Sequence, residues 1–533
     1  MSYQIINPAT EEAMEVVEHL SVEQTDEAIA RAKVAQKKWA AVAPADRAKA
    51  LRDFAAAVDG DIENLAALEV RNSGHPISQA RWEANHVRNV LEYYSASPER
   101  LLGKQIPVAG GIDITFNEPL GVVGVITPWN FPMTIASWGF APALAAGNAV
   151  VLKPAEWTPL TSIRLGELAL QAGLPEGLFQ VLPGKGSVVG NRFITNQDVR
   201  KIVFTGSTEV GKQIMKGAAD QVKRVTLELG GKSANIIFAD ADVEKAAATA
   251  PYSVFENAGQ DCCARSRILV QRSVLDKFME GLEKSVKGVV VGDPTNEATE
   301  VGPLVSRSHF DSVSGYLDGA NVAFRGSAPE GKGFFFAPTV VMANGLDDRC
   351  MTDEIFGPIV AVHTFEDEAE AIQIANNTEF GLSGSIWTRD IGRGIRVARG
   401  VESGNLSVNS HSSVRFNTPF GGFKQSGLGR ELGPDAPLML TIVVAPDVSL
   451  SSPLVLAMDG QDKLTLPWTR CRPSGCFAGA DLTDEQVDIL RKGEPKGSAQ
   501  MSFTDGGEAA ILLRLPLAGI KDALDRLERS RRG

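Results

Sequence analysis

The stretch between Glu118 and Lys153 contains no Asp, Glu, Lys or Arg. So long a run without charge does not sit on a water-exposed surface; it is a membrane span or the buried centre of a globular domain. Pro128, Asn130, Pro132, Pro142 and Asn148 interrupt it, and a span broken so often leaves backbone groups unsatisfied in lipid. A buried α/β segment is therefore expected. Its surroundings agree. GVVGVIT from Gly121, NAVVL from Asn148, LFQVL from Leu178, KIVF from Lys201 and RVTLEL from Arg224 are short apolar runs separated by helix-length segments. One such segment is bounded by Thr158 as N-cap, Pro159 at the first helical position and Gly173 with Pro175 at its end. Strand–helix–strand repetition with near-continuous apolar strands predicts a parallel sheet covered on both faces. Nucleotides bind at the carboxyl ends of such strands.

At 533 residues the chain has room for about three or four domain-sized units. Its formal net charge of −12 argues against nucleic acid or an anionic membrane as the main partner. Cys262, Cys263, Cys350, Cys471 and Cys476 are too few and too scattered for a disulfide scaffold. The opening MSYQIINPAT lacks the basic and apolar regions of a secretory signal. These are the traits of a soluble cytoplasmic enzyme. Residues 1–100 read as helices, with Leu51, Phe54, Ala55 and Val58 on one apolar face and Ile29, Ala32 and Trp39 on another. Residues 101–118 read as a hairpin around Ala109-Gly110-Gly111. A second mixed α/β region occupies residues 231–441. From 442 to 533 the chain changes to short strands and turns, then a short helix in IKDALDRLERS, with nearly balanced charge. A domain boundary is expected there.

Asn257 to Arg267 sets two thiols in a short polar stretch. An unpaired thiol is commonly a small buried apolar group. The polar neighbours and Gly259 offer the other reading, a turn presenting a nucleophilic thiolate to a cleft. Glu228 ends a strand just before Gly230-Gly231, whose missing side chains let the backbone approach a ligand. Phe204–Gly211 follows a strand and opens a helix, and Gly184–Gly190 follows another; together they suggest a dinucleotide site. No His/Cys cluster has metal-ligand spacing, and the six histidines read as structural or surface residues.

Together these segments resemble the aldehyde dehydrogenase superfamily in its non-phosphorylating, hydrolytic branch. The resemblance rests on ITPWNFP at Ile126–Pro132, KPAEWTP at Lys153–Pro159, FTGSTEVG at Phe204–Gly211 and LELGGKS at Leu227–Ser233. It rests equally on GQDCCARSR at Gly259–Arg267, EIFGP at Glu354–Pro358 and PFGGFKQSGLGRELG at Pro419–Gly433. The motifs occur in the family's order across residues 5–441. What the resemblance implies is an α/β, aldehyde dehydrogenase-like fold. Its parts are a Rossmann-type dinucleotide-binding domain (1–100 and 119–230), a hairpin of the oligomerisation region (101–118) and a catalytic domain (231–441). Cys262 aligns with the nucleophile, Glu228 with the general base, and Asn130 with the side chain that stabilises the oxyanion together with the Cys262 N–H. Cys263 has no required role. Lys153 and Glu156 align with contacts to the adenosine ribose, Ser207 with a pyrophosphate contact, and Gly186 and Gly190 with the adenine side. Ile126, Thr127, Trp129, Phe204, Gly206 and Leu229 line the cofactor cleft, and Glu354 and Phe356 hold the nicotinamide riboside. Glu431 is a secondary candidate for proton relay or an equally good structural contact.

The reaction so implied is oxidation of a small aldehyde to a carboxylate with NAD, or NADP, through a cysteine thiohemiacetal and thioester, without metal. A CoA-acylating relative is the alternative among enzymes, and Glu228 argues for hydrolysis instead. A catalytically idle scaffold with a C-terminal binding module is the alternative from another class; the intact Cys262, Glu228 and Asn130 set argues against it. From Ile442 the chain departs from the family's usual interface strand, which bears on the expected homo-oligomer. LTLPWTRCRPSGCFAGADLT and the segment from Phe503 resemble the invasion-associated locus B family, a small, mainly β appendage fused to the enzyme. Cys471 and Cys476 are expected as thiols in the cytoplasm and as a disulfide in an oxidising compartment.

Overall fold

The computed structural model describes residues 2–433 apart from 110 and 413, and strand segments between 441 and 516. The uncharged stretch is one β–α–β unit. Strands Val122–Ile126 and Ala149–Lys153 are buried at every position, and in helix Pro132–Ala145 between them only Pro142 is not. The helix starts with Pro132 in its first turn, where a missing N–H costs nothing. Asn148 holds the return: its Oδ1 accepts from Gly121 N at 3.0 Å and its Nδ2 donates to Ala143 O at 3.1 Å. Trp39 Nε1 donates to Leu144 O at 2.8 Å, satisfying one of the helix's last carbonyls. No described helix is long and apolar enough to cross a membrane.

Five parallel strands make the first sheet, in the spatial order Arg224–Glu228, Val199–Thr205, Val122–Ile126, Ala149–Lys153, Phe179–Val181. The chain starts in the middle, winds one way through its second and third strands, then returns to the other side. The reversal lies between Val122–Ile126 and Val199–Thr205, where Ile126 stands opposite Phe204. Such a switch point opens a crevice beyond the strand ends. Gly427–Leu428 adds an antiparallel edge, with Gly427 opposite Glu228. One hydrophobic core joins this sheet to the N-terminal helices through Ile29, Trp39, Leu51, Phe54 and Val58.

A second sheet has eight strands with a parallel centre: Thr339–Met342, Ile359–Phe365, Arg267–Gln271, Ala234–Ile237, Ser383–Trp387 and Asn405–Val408. Val322–Arg325 runs antiparallel at one edge, and Thr441–Val444 pairs at the other. It has its own core around Ile236, Leu269, Val360 and Ile386. The chain divides into two compact units, 1–443 and 444–533. In the second, Gln461–Leu466, Leu454–Met458, Ser498–Thr504 and Ala510–Pro516 form an antiparallel sheet in that order. Trp468–Arg472 and Gly475–Ala478 pair separately, with Cys471 opposite Cys476.

The hairpin forms as Gln105–Val108 against Gly111–Ile114. Two expectations need correction. Residues 1–100 are not all helical: Ser2–Ile6 and Ala13–Glu18 pair as antiparallel strands before the first helix, Val22–Ala40. Their turn is set by Asn7, whose Oδ1 accepts from Ala9 N at 2.9 Å. Nor does Thr158 cap the following helix. That helix is Leu160–Gln171 with Pro159 as its uncapped N-cap, and Thr158 Oγ1 donates instead to Trp129 O at 3.0 Å. The expected helix in IKDALDRLERS lies outside the described residues.

Candidate active site

A cavity of about 1000 Å³ opens at the switch point. Each strand end contributes to it. Ile126 ends the first strand and Thr127 and Trp129 follow it, Lys153 ends the second and Glu156 follows it, and Gly186 and Gly190 come from the helical turn after the third. Phe204 is near the end of the fourth strand, Gly206 and Ser207 follow it, and Leu229 follows the fifth. Glu354 and Phe356 reach in from the second sheet's side, and Asn130 and Cys262 also face the cavity. The structure thus brings every residue aligned with cofactor contacts to one cavity. Glu228 is not on its wall.

Ser207 caps helix Thr208–Ala219, its Oγ accepting from Val210 N at 3.4 Å. That places a helix N-terminus, an anion-binding end, on the cavity. Lys153 is buried and donates from Nζ to Pro154 O at 2.8 Å; burial pulls its pKa down to about 8 against the field of Glu156. Glu354 Oε1 accepts from Gly231 N at 2.6 Å, and burial pushes its pKa up to about 7. Thr127 and Thr205 line the cavity with buried hydroxyls that have no partner among the described residues.

Cys262 sits after a turn of unusual backbone. Asn257, Ala258 and Gly259 take φ of 50°, 54° and 74° in succession, a region that costs non-glycine residues energy. A Cβ on Gly259 would stand 2.3 Å from Gly357 O, and one on Gly231 would stand 2.1 Å from Cys262 O. Amides lock the turn. Asn257 Nδ2 donates to Asn130 O at 2.9 Å, Asn130 Nδ2 to Gln260 O at 2.9 Å, and Gln260 Nε2 to Asn257 O at 3.0 Å. Gln260 Oε1 accepts from Val305 N at 2.8 Å. Buried Arg265 adds bonds to Cys263 O at 2.8 Å and His411 O at 2.9 Å. Cys262 is half-buried at the cavity and Cys263 buried in the core. A hydrogen bond shared with Cys263, then burial, raises the Cys262 pKa, so the resting group is a thiol.

Glu228 ends its strand 2% exposed, with neither carboxyl oxygen partnered among the described residues. Burial, reinforced by Glu431, raises its pKa well above the carboxylate range. Glu431 is likewise buried and unpartnered, and burial pushes it up to about 8 against Lys201. A carboxyl held this way is a strong base once it ionises.

Sequence reasoning missed His309, and not every histidine is peripheral. His309 lines the cavity, packs edge-on to Trp129 with centroids 5.2 Å apart, and bonds through Nε2 to Phe356 O at 2.8 Å. Nothing local marks it, because the contact joins positions far apart in the chain. Trp157, Asn191, Val210, Gln213 and Ile214 also line the cavity; several lie within or beside the quoted motifs.

The aldehyde dehydrogenase family model matches residues 1–443. That of Invasion associated locus B (IalB) protein matches residues 423–528. An aldehyde dehydrogenase of Emericella nidulans is 40% identical, over 81% of this chain and 88% of its own. The betaine aldehyde dehydrogenase of Bacillus subtilis is 40% identical, over 80% and 90%. A crystal structure of betaine aldehyde dehydrogenase from Staphylococcus aureus in complex with NAD+ superposes with a TM-score of 0.79 at 39% identity, covering 81% of this chain and 88% of that one. The chain belongs to the aldehyde dehydrogenase family.

Proposed function

We propose that the chain oxidises an aldehyde to a carboxylate through a covalent adduct on Cys262, released by water that Glu228 activates. The observation that carries this reading is the meeting of Cys262 and Asn130 on a cleft of dinucleotide size, with Glu228 buried and without a partner among the described residues as the base. The cleft suits NAD. Its unpartnered threonine hydroxyls and the helix N-terminus at Ser207 match ribose and phosphate oxygens. Lys153 and Glu156 would hold the adenosine ribose, Gly186 and Gly190 the adenine side, and Glu354 and Phe356 the nicotinamide riboside. Bound there, NAD+ supplies the acceptor for the two electrons the substrate loses.

The chain's own residues do the rest. Cys262 Sγ bonds to the aldehyde carbon as the thiol proton passes to solvent water and the C=O π pair moves to oxygen. The carbonyl oxygen becomes an oxyanion received by the Asn130 amide and the Cys262 N–H. At the acid oxidation level the substrate is a thioester on Cys262. Glu228 takes a proton from water as that water attacks the thioester carbon; the C–S bond breaks, releasing carboxylate and regenerating the thiol. Glu431 is the candidate to pass the proton on.

Three coarser readings accompany this. The unbridged Cys262 and Cys263 thiols suit the cytoplasm. Residues 444–533 are a second module fused to the enzyme. The chain self-associates through the hairpin region, which exposes Ile106, Ile112, Ile114 and Phe116. The deciding assay follows NAD+ reduction across a panel of aldehydes with and without CoA, and identifies the product. Free carboxylate regardless of CoA is expected. An obligatory acyl-CoA product would replace hydrolysis by acyl transfer, and no reduction with any aldehyde would leave an idle scaffold.

A further inference from the structure

A buried charged cluster stands behind the active site, and the chemistry above does not use it. His75, Glu83 and Glu69 are at most 1% exposed, with side-chain ligand atoms all within 4.8 Å of one another. They come from the corner between helices Ile62–Ser73 and Ile77–Ser95. His75 Nδ1 bonds directly to Glu83 Oε1. The other Glu83 oxygen accepts from Thr134 Oγ1 at 3.1 Å. Glu69 accepts from Thr161 Oγ1 at 2.8 Å, and its Oε1 is buried without a partner among the described residues. Its ring packs edge-on to Phe131 with centroids 5.4 Å apart, and the adjacent Asn130 carbonyl, which accepts from Asn257 Nδ2 at 2.9 Å, is among the groups that raise the imidazole's pKa. One corner thus grips Phe131 and Thr134, immediately after Asn130.

The imidazole has the Glu83 carboxylate on Nδ1, and the Asn130 carbonyl acts as a second acceptor favouring its protonated form. A neutral imidazole has one N–H and satisfies only one of them; the imidazolium satisfies both. Losing the proton turns a lone pair toward an acceptor and leaves two carboxyls facing each other in a dry site. Burial alone would lower the His75 pKa, but Glu83, Glu69 and the Asn130 carbonyl outweigh it and hold it at about 8. Glu69 is pushed up to about 7 by burial and Glu83. Glu256, on the turn before Cys262, is the remaining charged group coupled to His75.

We propose that His75, as an imidazolium, is the positioning residue for Asn130: it clamps the Asn130 carbonyl and the helix turn that follows, and so aims the amide at the developing oxyanion. This rests on the oxyanion role given to Asn130 above.

The test measures the rate of the first-turnover NADH burst between about pH 6 and 9.5 for wild type, His75→Leu and His75→Lys, with His75→Leu repeated in an Asn130→Ala background. Losing one oxyanion donor commonly costs about 10²–10³ in rate, so His75→Leu is expected to slow the burst at least about tenfold. NAD+ affinity, read by fluorescence titration, should move less than about twofold. In the Asn130→Ala background the same change should add less than about twofold. His75→Lys keeps charge and donors at higher pH, so its burst should persist where the wild-type burst falls, above about pH 8. Equal slowing by His75→Leu in both backgrounds, or one pH profile shared by wild type and His75→Lys, would overturn the inference. Should His75→Leu not fold, the comparison with His75→Lys decides alone. A wild-type enzyme with no burst on any aldehyde sinks the proposed function and this inference with it, whereas a normal burst indifferent to His75 sinks this inference only.

Discussion

Cys262 and Cys263 are adjacent in sequence yet occupy different settings, one on the cavity wall and the other in the core. Only the first faces the cavity. Cys262→Ala is therefore expected to abolish aldehyde oxidation, to below about 1% of wild type, while NAD+ still binds, because the thiol forms the adduct and does not hold the cofactor. Steady-state turnover and a cofactor titration on the same preparation check this, and residual turnover of several per cent would move the role to Cys263. Cofactor choice belongs to the same scale. Glu156 lines the cavity beside Lys153; a carboxylate accepts from the 2′-hydroxyl of NAD and repels the 2′-phosphate of NADP. The expected result is a higher kcat/KM with NAD than with NADP, by about tenfold or more for one lost or repelled contact, and a smaller ratio in Glu156→Gln. A wild-type preference for NADP would show that Glu156 does not face the ribose.

At the scale of elements, the turn Glu256–Gly259 converts fold into chemistry. Its left-handed run turns the chain just before Cys262, the proposed nucleophile, and Gly259 lies against the Gly357 backbone with no room for a side chain. Gly259→Ala should cut kcat at least about tenfold through misplacement of Cys262, and lower the melting temperature by a few degrees. Unchanged kcat with a lowered melting temperature would make the glycine a matter of stability alone. The same elements show what was legible beforehand. Strands of the first sheet were readable because both faces are buried, so their residues are apolar throughout: the run from Gly121 is strand Val122–Ile126. Residues 2–18 were misread because only Ile5 and Val17 of the two strands are buried, too few to set a period of two. The role of Thr158 was hidden because its partner, the Trp129 carbonyl, is a long-range contact. The residues lining the cleft were readable through motifs. The His75 cluster was not, since it joins two helices to the distant start of helix Pro132–Ala145 through contacts that leave no local pattern.

At the scale of the whole molecule, a family enzyme of residues 1–443 and a second unit of residues 444–533 share one chain. The hairpin carries exposed apolar side chains that a lone subunit leaves in water, with Phe116 77% and Ile112 62% exposed. Replacing both with Ser should lower the native mass seen by light scattering to that of a smaller assembly, with little loss of secondary structure. A native mass already equal to one chain in wild type would withdraw the self-association. The central claim, that acylation at Cys262 and release by Glu228 are separate steps, is tested most directly by mixing Glu228→Gln enzyme with aldehyde and NAD+ and locating the trapped acyl group by peptide mass. The account predicts about one NADH per subunit in a burst, then stalling, with the acyl group on Cys262. Undiminished steady turnover, no burst, or an acyl group on Cys263 would contradict it.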